Sequence, residues 1–107
     1  MKKILFVCTQ NRIRSLTAER LFQGRNGCQT KSAGISASAR VVLTEDLIMW
    51  ADLVVFMEQN HRDYVAKTFQ TPLTGKKLVC LGVKDLYNYG EPELRRVLEF
   101  KMKPYMI

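Results

Sequence analysis

CTQNRIRS, Cys8 to Ser15, decides the fold because of what stands on either side of it. Before it, Lys3 to Val7 read KILFV, a short apolar run of the kind that becomes a strand buried on both faces of a parallel sheet. After it, SLTAERLFQGR places Leu16, Ala18, Leu21 and Phe22 at roughly helical spacing, and Gly24 can end the run. Strand, tight polar loop and helix in that order make loop and first-turn N–H groups converge on one point, where an anion is stabilised. A phosphate-sized cradle is therefore expected at the carboxyl end of the first strand.

Two side chains give that cradle its chemistry. A cysteine at a helix start is expected to ionise readily, since the helix dipole and a nearby guanidinium both favour the thiolate, the form that attacks electrophiles. Cys8 is the candidate nucleophile. Arg14 can give two parallel N–H donors to two oxygens of one phosphate, a planar match that lysine cannot reproduce. It stands six positions after Cys8, so the loop can fold back until sulfur and guanidinium point into the same bowl. The Ser15 hydroxyl can then hydrogen-bond the thiolate. The competing interpretation, Cys8 as a small buried apolar residue and Arg14 as a solvated helix residue, leaves the strand-loop-helix placement and Ser15 unexplained.

CTQNRIRSLTAE resembles the signature of the low-molecular-weight protein tyrosine phosphatases, whose loop is Cys, five residues, Arg, then Ser or Thr. The resemblance continues through KSAG, Lys31 to Gly34, through ADLVVFME, Ala51 to Glu58, and through VKDLYNYGEPEL, Val83 to Leu94. It implies a phosphate-binding loop of Thr9, Gln10, Asn11, Arg12, Ile13, Arg14 and Ser15 around Cys8. Family loops often carry Gly two residues after the nucleophile and a second Cys just before the Arg, where this chain has Gln10 and Ile13. Ile13 removes the partner for a protective local disulfide. Asn11 matches the family and suits a left-handed or turn conformation.

The chain of 107 residues, 47% hydrophobic and 25% charged, fits one globular domain, 1–107, that needs neither disulfide nor metal to build a core. No apolar run approaches the ~18 residues needed to span a bilayer, and KILFV is too short for a secretory signal. An odd count of cysteines without a CxxC pair argues for free thiols in a reducing compartment, so a cytoplasmic protein is expected. Seventeen basic against ten acidic residues give a net charge of +7. The basic residues are scattered, with no RNA-binding aromatic motif or zinc-finger spacing, which suits an enzyme drawing anionic substrates better than a nucleic-acid binder.

Beyond the first helix, Cys28 to Ala33 is expected as a second strand with Gly34 turning out of it, which completes a βαβ unit. Thr44 can cap a short helix opening with Glu45 and Asp46. Asp52 to Met57 is the clearest central strand, His61 to Phe69 the next helix, 71–77 a loop, and Leu78 to Leu81 a fourth strand. Pro92 starts a last helix whose apolar face runs through Leu94, Val97, Leu98 and Tyr105. Trp50 reads as a core or core-edge residue, Cys80 as buried, and the single histidine, His61, as a surface or helix-start residue rather than a catalyst. The fold expected, with the strand order that the resemblance implies, is a three-layer α/β domain: four parallel strands ordered 2-1-3-4 with helices on both faces.

The loop 82–90 lies on the same sheet edge as the cradle. Displacing a phenolate or alkoxide from phosphorus needs a proton for the leaving oxygen, and Asp85, where the resemblance places the general acid, can supply it. Glu91 is the reserve, and Tyr87 and Tyr89, with Arg12, are candidate substrate-rim residues. The function expected is phosphate-monoester hydrolysis through a phosphocysteine on Cys8, without metal or organic cofactor, acting on phosphotyrosine protein or a small phosphoester. Phosphoarginine stays open, and inorganic phosphate or sulfate can occupy the loop. The alternatives are arsenate reduction on the same loop, which needs a thiol relay that Cys28 and Cys80 are poorly placed to give, and a phosphopeptide-binding module with little turnover.

Overall fold

In the computed structural model, residues 2–69 and 75–106 are described, so part of the expected loop 71–77 lies outside the described residues. The order is β1 (Lys3–Cys8), α1 (Arg14–Phe22), β2 (Gln29–Gly34), α2 (Glu45–Trp50), β3 (Leu53–Phe56), α3 (Gln59–Thr68), β4 (Lys77–Cys80) and α4 (Pro92–Met102). The four strands form one sheet in the order β2-β1-β3-β4, and every pairing is parallel. That is the architecture expected from the sequence.

Alternate residues of β1 feed two cores, because successive strand side chains point to opposite faces. Ile4 and Phe6 pack with Ala18 and Phe22 of α1 and with Leu94, Leu98 and Met102 of α4. Leu5 and Val7 pack with Ile48 of α2 and Val65 of α3. Phe22 stacks on Phe6 with ring centroids 5.9 Å apart, so α1 is pinned at its far end to the strand that precedes it. Burying an aromatic of this size stabilises the fold by roughly 1.5–3 kcal/mol, and here it also aims the start of α1 at the end of β1.

Element ends differ from expectation by one to three residues. Thr44 caps α2 as expected, its hydroxyl accepting from the Leu47 N–H at 3.3 Å. The last helix stops at Met102 and passes into a 3-10 turn over Lys103–Tyr105. Pro104 has no N–H to continue the ladder, and its ring crowds the carbonyl four residues back. Trp50 is half-buried against the second core, and Cys80, expected to be buried, is half-buried on the outer strand. His61 is not on the surface: it is fully buried at the third position of α3. Among the described residues no helix is long and apolar enough to cross a membrane.

Candidate active site

The loop between β1 and α1 is held from outside by the segment that follows β2. Ile35, Ser36 and Arg40 donate backbone N–H bonds to the carbonyls of Cys8, Thr9 and Gln10, each at 3.0 Å, and Arg40 Nε reaches the Asn11 carbonyl at 3.2 Å. Four successive carbonyls thus point outward. A trans peptide directs its N–H opposite to its C=O, so the amides that follow turn into the loop. The Asn11 N–H, 3.3 Å from Cys8 Sγ, is one of them.

This close approach depends on Gly34. A Cβ there would stand 2.4 Å from the Thr9 carbonyl oxygen and 3.0 Å from the Asn11 nitrogen, both backbone atoms that cannot swing away. Asn11 itself has φ of 57°, the left-handed conformation that asparagine tolerates better than most residues, and it is fully buried.

Cys8 is buried at the end of β1, with its sulfur 2.9 Å from Ser15 Oγ. Asn11 Nδ2, which can only donate, gives a hydrogen bond to Ser15 Oγ at 2.7 Å. Ser15 therefore keeps its own proton for the sulfur. A thiolate at this position receives the Ser15 O–H and the Asn11 N–H together, two charge-assisted bonds.

Arg14 opens α1 and is buried. Its Nη1 donates to Glu58 Oε1 at 2.5 Å and to the Val83 carbonyl at 2.9 Å. With Nη1 anchored, the Nε edge remains, and Asp85 Oδ1 lies 4.0 Å from it. Cys8, Gln10, Arg12, Ile13, Arg14 and Asp85 line one small pocket of about 160 Å³.

The other residues expected at the site fall into place around this pocket or away from it. Arg12 reaches Ser38 O from its Nη2 at 3.1 Å. Thr9 turns its hydroxyl to His61 Nε2 at 2.9 Å, beneath the loop. Tyr87 packs against the first core, and Tyr89 accepts from Arg20 Nη1 at 2.6 Å in a neighbouring pocket rather than lining the one that holds Cys8. Glu91, the reserve acid, caps its own turn by accepting from the Asn88 N–H at 3.1 Å and does not line the pocket.

Glu58 and His61 were not among the site residues expected from the sequence. Glu58 ends up under Arg14, and its backbone N–H donates to His61 Nδ1 at 3.0 Å. With Nδ1 accepting, neutral His61 carries its proton on Nε2 and donates it to Thr9. Burial is the main reason that the His61 pKa is lowered to about 4; the Arg14 charge pushes the same way and Glu58 opposes it. The one signal available in the sequence was the position of Glu58 just beyond the third strand, on the sheet edge that carries the loop.

Residues 3–48 match the model of the family described as low molecular weight phosphotyrosine protein phosphatase. The fold is shared over nearly the whole chain with the YwlE arginine phosphatase from Geobacillus stearothermophilus (25% identity, 99% of this chain and 91% of that one, TM-score 0.74). Over residues 3–48 the chain is similar to this family. A YwlE mutant from Bacillus subtilis is similar at 24% identity, covering 99% of this chain and 97% of that one with a TM-score of 0.75. The tyrosine phosphatase Wzb from Escherichia coli K30, solved with phosphate, is similar at 20% identity over 98% and 96% of the two chains, with a TM-score of 0.73. No curated protein matches as a relative.

Against the loop pattern of the low-molecular-weight phosphatases this chain differs at two positions, and the structure accommodates both. Among the described non-glycine residues, positive φ occurs at Asn11 and Asn26, so position 10 needs no glycine. Ile13 packs against the first core while lining the pocket.

Proposed function

We propose that the chain is a cysteine-dependent phosphate-monoester hydrolase acting on phosphorylated protein, with phosphotyrosine as the substrate class. The observation that carries the reading is the single small pocket in which Cys8, Arg14 and Asp85 meet. In the first step the Cys8 thiolate forms a bond to phosphorus as the bond from phosphorus to the leaving oxygen breaks, and Asp85 gives that oxygen its proton. In the second, Asp85 takes a proton from water, the water oxygen bonds to phosphorus, and the sulfur leaves as thiolate, hydrogen-bonded by Ser15 and Asn11. Arg14 and the inward amides hold the three equatorial oxygens throughout.

Phosphoarginine is the second reading, because three of the similar structures are of YwlE, two of them named as an arginine phosphatase. Arsenate reduction is not favoured. Cys28 lies in the first core and Cys80 packs against the second, so neither thiol lines the pocket of Cys8. We place the enzyme in the cytoplasm, a reading that its three free cysteines support.

The test is hydrolysis of an aryl phosphate, with reductant and without metal, by wild type, Cys8→Ser and Asp85→Asn. Cys8→Ser abolishes turnover, and Asp85→Asn lowers kcat on the order of a hundredfold or more. Full activity in Cys8→Ser would sink the mechanism. Parallel assays on phosphotyrosine and phosphoarginine peptides decide between the two substrate classes.

A further inference from the structure

Positive charge near α1 is not confined to the phosphate loop. Beyond Arg14 the helix meets the end of the 81–90 loop and the start of α4, and the three enclose a pocket of about 400 Å³. Arg20, Arg25 and Arg95 line it, together with Thr17, Tyr89 and Gly90. Arg25 is neutralised by Glu99 at 2.5 Å. Among the described residues, neither Arg20 nor Arg95 has a carboxylate within 4.0 Å.

Arg20, although exposed, has a side-chain partner. Its Nη1 donates to the Tyr89 hydroxyl at 2.6 Å, and its guanidinium lies 5.5 Å from the centre of the same ring. A solvated arginine gives up side-chain entropy to hold such a geometry, and a preorganised planar donor fork suits a compact anion. The Gly90 N–H donates to Thr17 Oγ1 at 3.1 Å, which ties α1 to the loop that also carries Asp85. Thr17 and Arg20 stand one and nearly two turns beyond Arg14, so the pocket begins roughly 5–10 Å along the helix from the cradle. Two phosphorylated residues two or three positions apart in an extended peptide are spaced by about 7–10 Å.

We propose that this pocket is a second anion site, which takes a further phosphate group on the same substrate whose first phosphate is cleaved at Cys8. The substrate class is then a multiply phosphorylated peptide. The shared-substrate part rests on the hydrolase reading above; the anion site does not.

Two measurements test it. In the first, backbone amide spectra of the whole chain are followed during titration with inorganic phosphate. Two sets of shifts are expected: one in Gln10–Arg12, the other, saturating separately, at Leu21 and Gly90. Arg20→Ala/Arg95→Ala loses the second set and keeps the first; the single variant Arg95→Gln weakens it, and Lys67→Ala, an exposed charge on α3, keeps both. Absence of the second set, or its survival in the double variant, would overturn the site.

In the second measurement, kcat/KM is compared for a peptide with one phosphotyrosine and for the same peptide with a further phosphoresidue two positions away, on the same face of the extended chain. Wild type prefers the doubly phosphorylated peptide, and the preference falls about ten- to hundredfold in the double variant, the loss expected for charge-assisted contacts. Equal rates on the two peptides would overturn the shared-substrate assignment. No hydrolysis of either peptide, with Leu21 and Gly90 still shifting, would remove the hydrolase reading and uphold the anion site.

Discussion

Glu58 Oε1 lies 2.5 Å from Arg14 Nη1, so the guanidinium at the mouth of the cradle is aimed by a residue just beyond the carboxyl end of β3. Arg14 is buried, whereas Glu58 is partly exposed, with 38% of its side-chain surface open. The carboxylate offsets the desolvation of the guanidinium and, with the Val83 carbonyl, holds Nη1 so that the Nε edge stays toward the pocket. Orientation rather than raw affinity is what this pair supplies.

Glu58→Gln keeps an acceptor and removes the charge. We expect kcat/KM on an aryl phosphate to fall about tenfold, from looser orientation of Arg14. The stability loss is held to roughly 1 kcal/mol, because the partner is partly solvated. Steady-state kinetics with urea unfolding of both proteins checks this; unchanged kcat/KM would mean that the Val83 carbonyl alone sets the guanidinium.

Gly34 makes a sharper prediction. In Gly34→Ala the new Cβ meets the Thr9 carbonyl and the Asn11 nitrogen, so the loop must move outward or β2 must shift. Overpacking of this kind costs about 1–3 kcal/mol, and a displacement near 1 Å at the cradle lowers turnover about a hundredfold. Cys8 alkylation by iodoacetamide, its protection by inorganic phosphate, and the aryl phosphate assay together separate a displaced loop from an unfolded chain. Full activity would show that the approach of Gly34 to Thr9 is not needed.

The parts of this site that were legible in the sequence are those set by neighbours in the chain. Cys8, Asn11, Arg14 and Ser15 lie within one loop and its helix, so their convergence follows from the βα turn and from residue chemistry. The apolar runs of β1 and β3 were equally plain, because strands buried on both faces show no alternation to blur. Strand order came with the family resemblance. Glu58 and His61 were not legible, because their partners, Arg14 and Thr9, are 44 and 52 residues away, and only tertiary packing brings them together. Tyr89 shows the opposite failing: its position on the acid-bearing loop was clear, but nothing in the chain told that Arg20 would draw it into the neighbouring pocket.

His61 yields a prediction with a definite sign. Its pKa is lowered from 6.5 to about 4 by burial first, then by the Arg14 charge, against the pull of Glu58. Between those two values the unfolded chain binds a proton at this residue and the folded chain does not, so stability rises with pH across the window. The contribution is fully present above pH 6.5 and is lost as pH falls from there toward about 4, by roughly 3 kcal/mol at the lower end. Protonating Nδ1 would also oppose the Glu58 N–H that it accepts, loosening the Thr9 contact beneath the loop. In His61→Gln that proton uptake is gone. Urea midpoints measured from pH 7.5 to 4.5 should fall more steeply in wild type than in His61→Gln, because every other titrating group is common to both. Parallel curves would mean that the folded chain does not hold this imidazole neutral, and the Thr9–His61–Glu58 chain would then have no part in supporting the cradle.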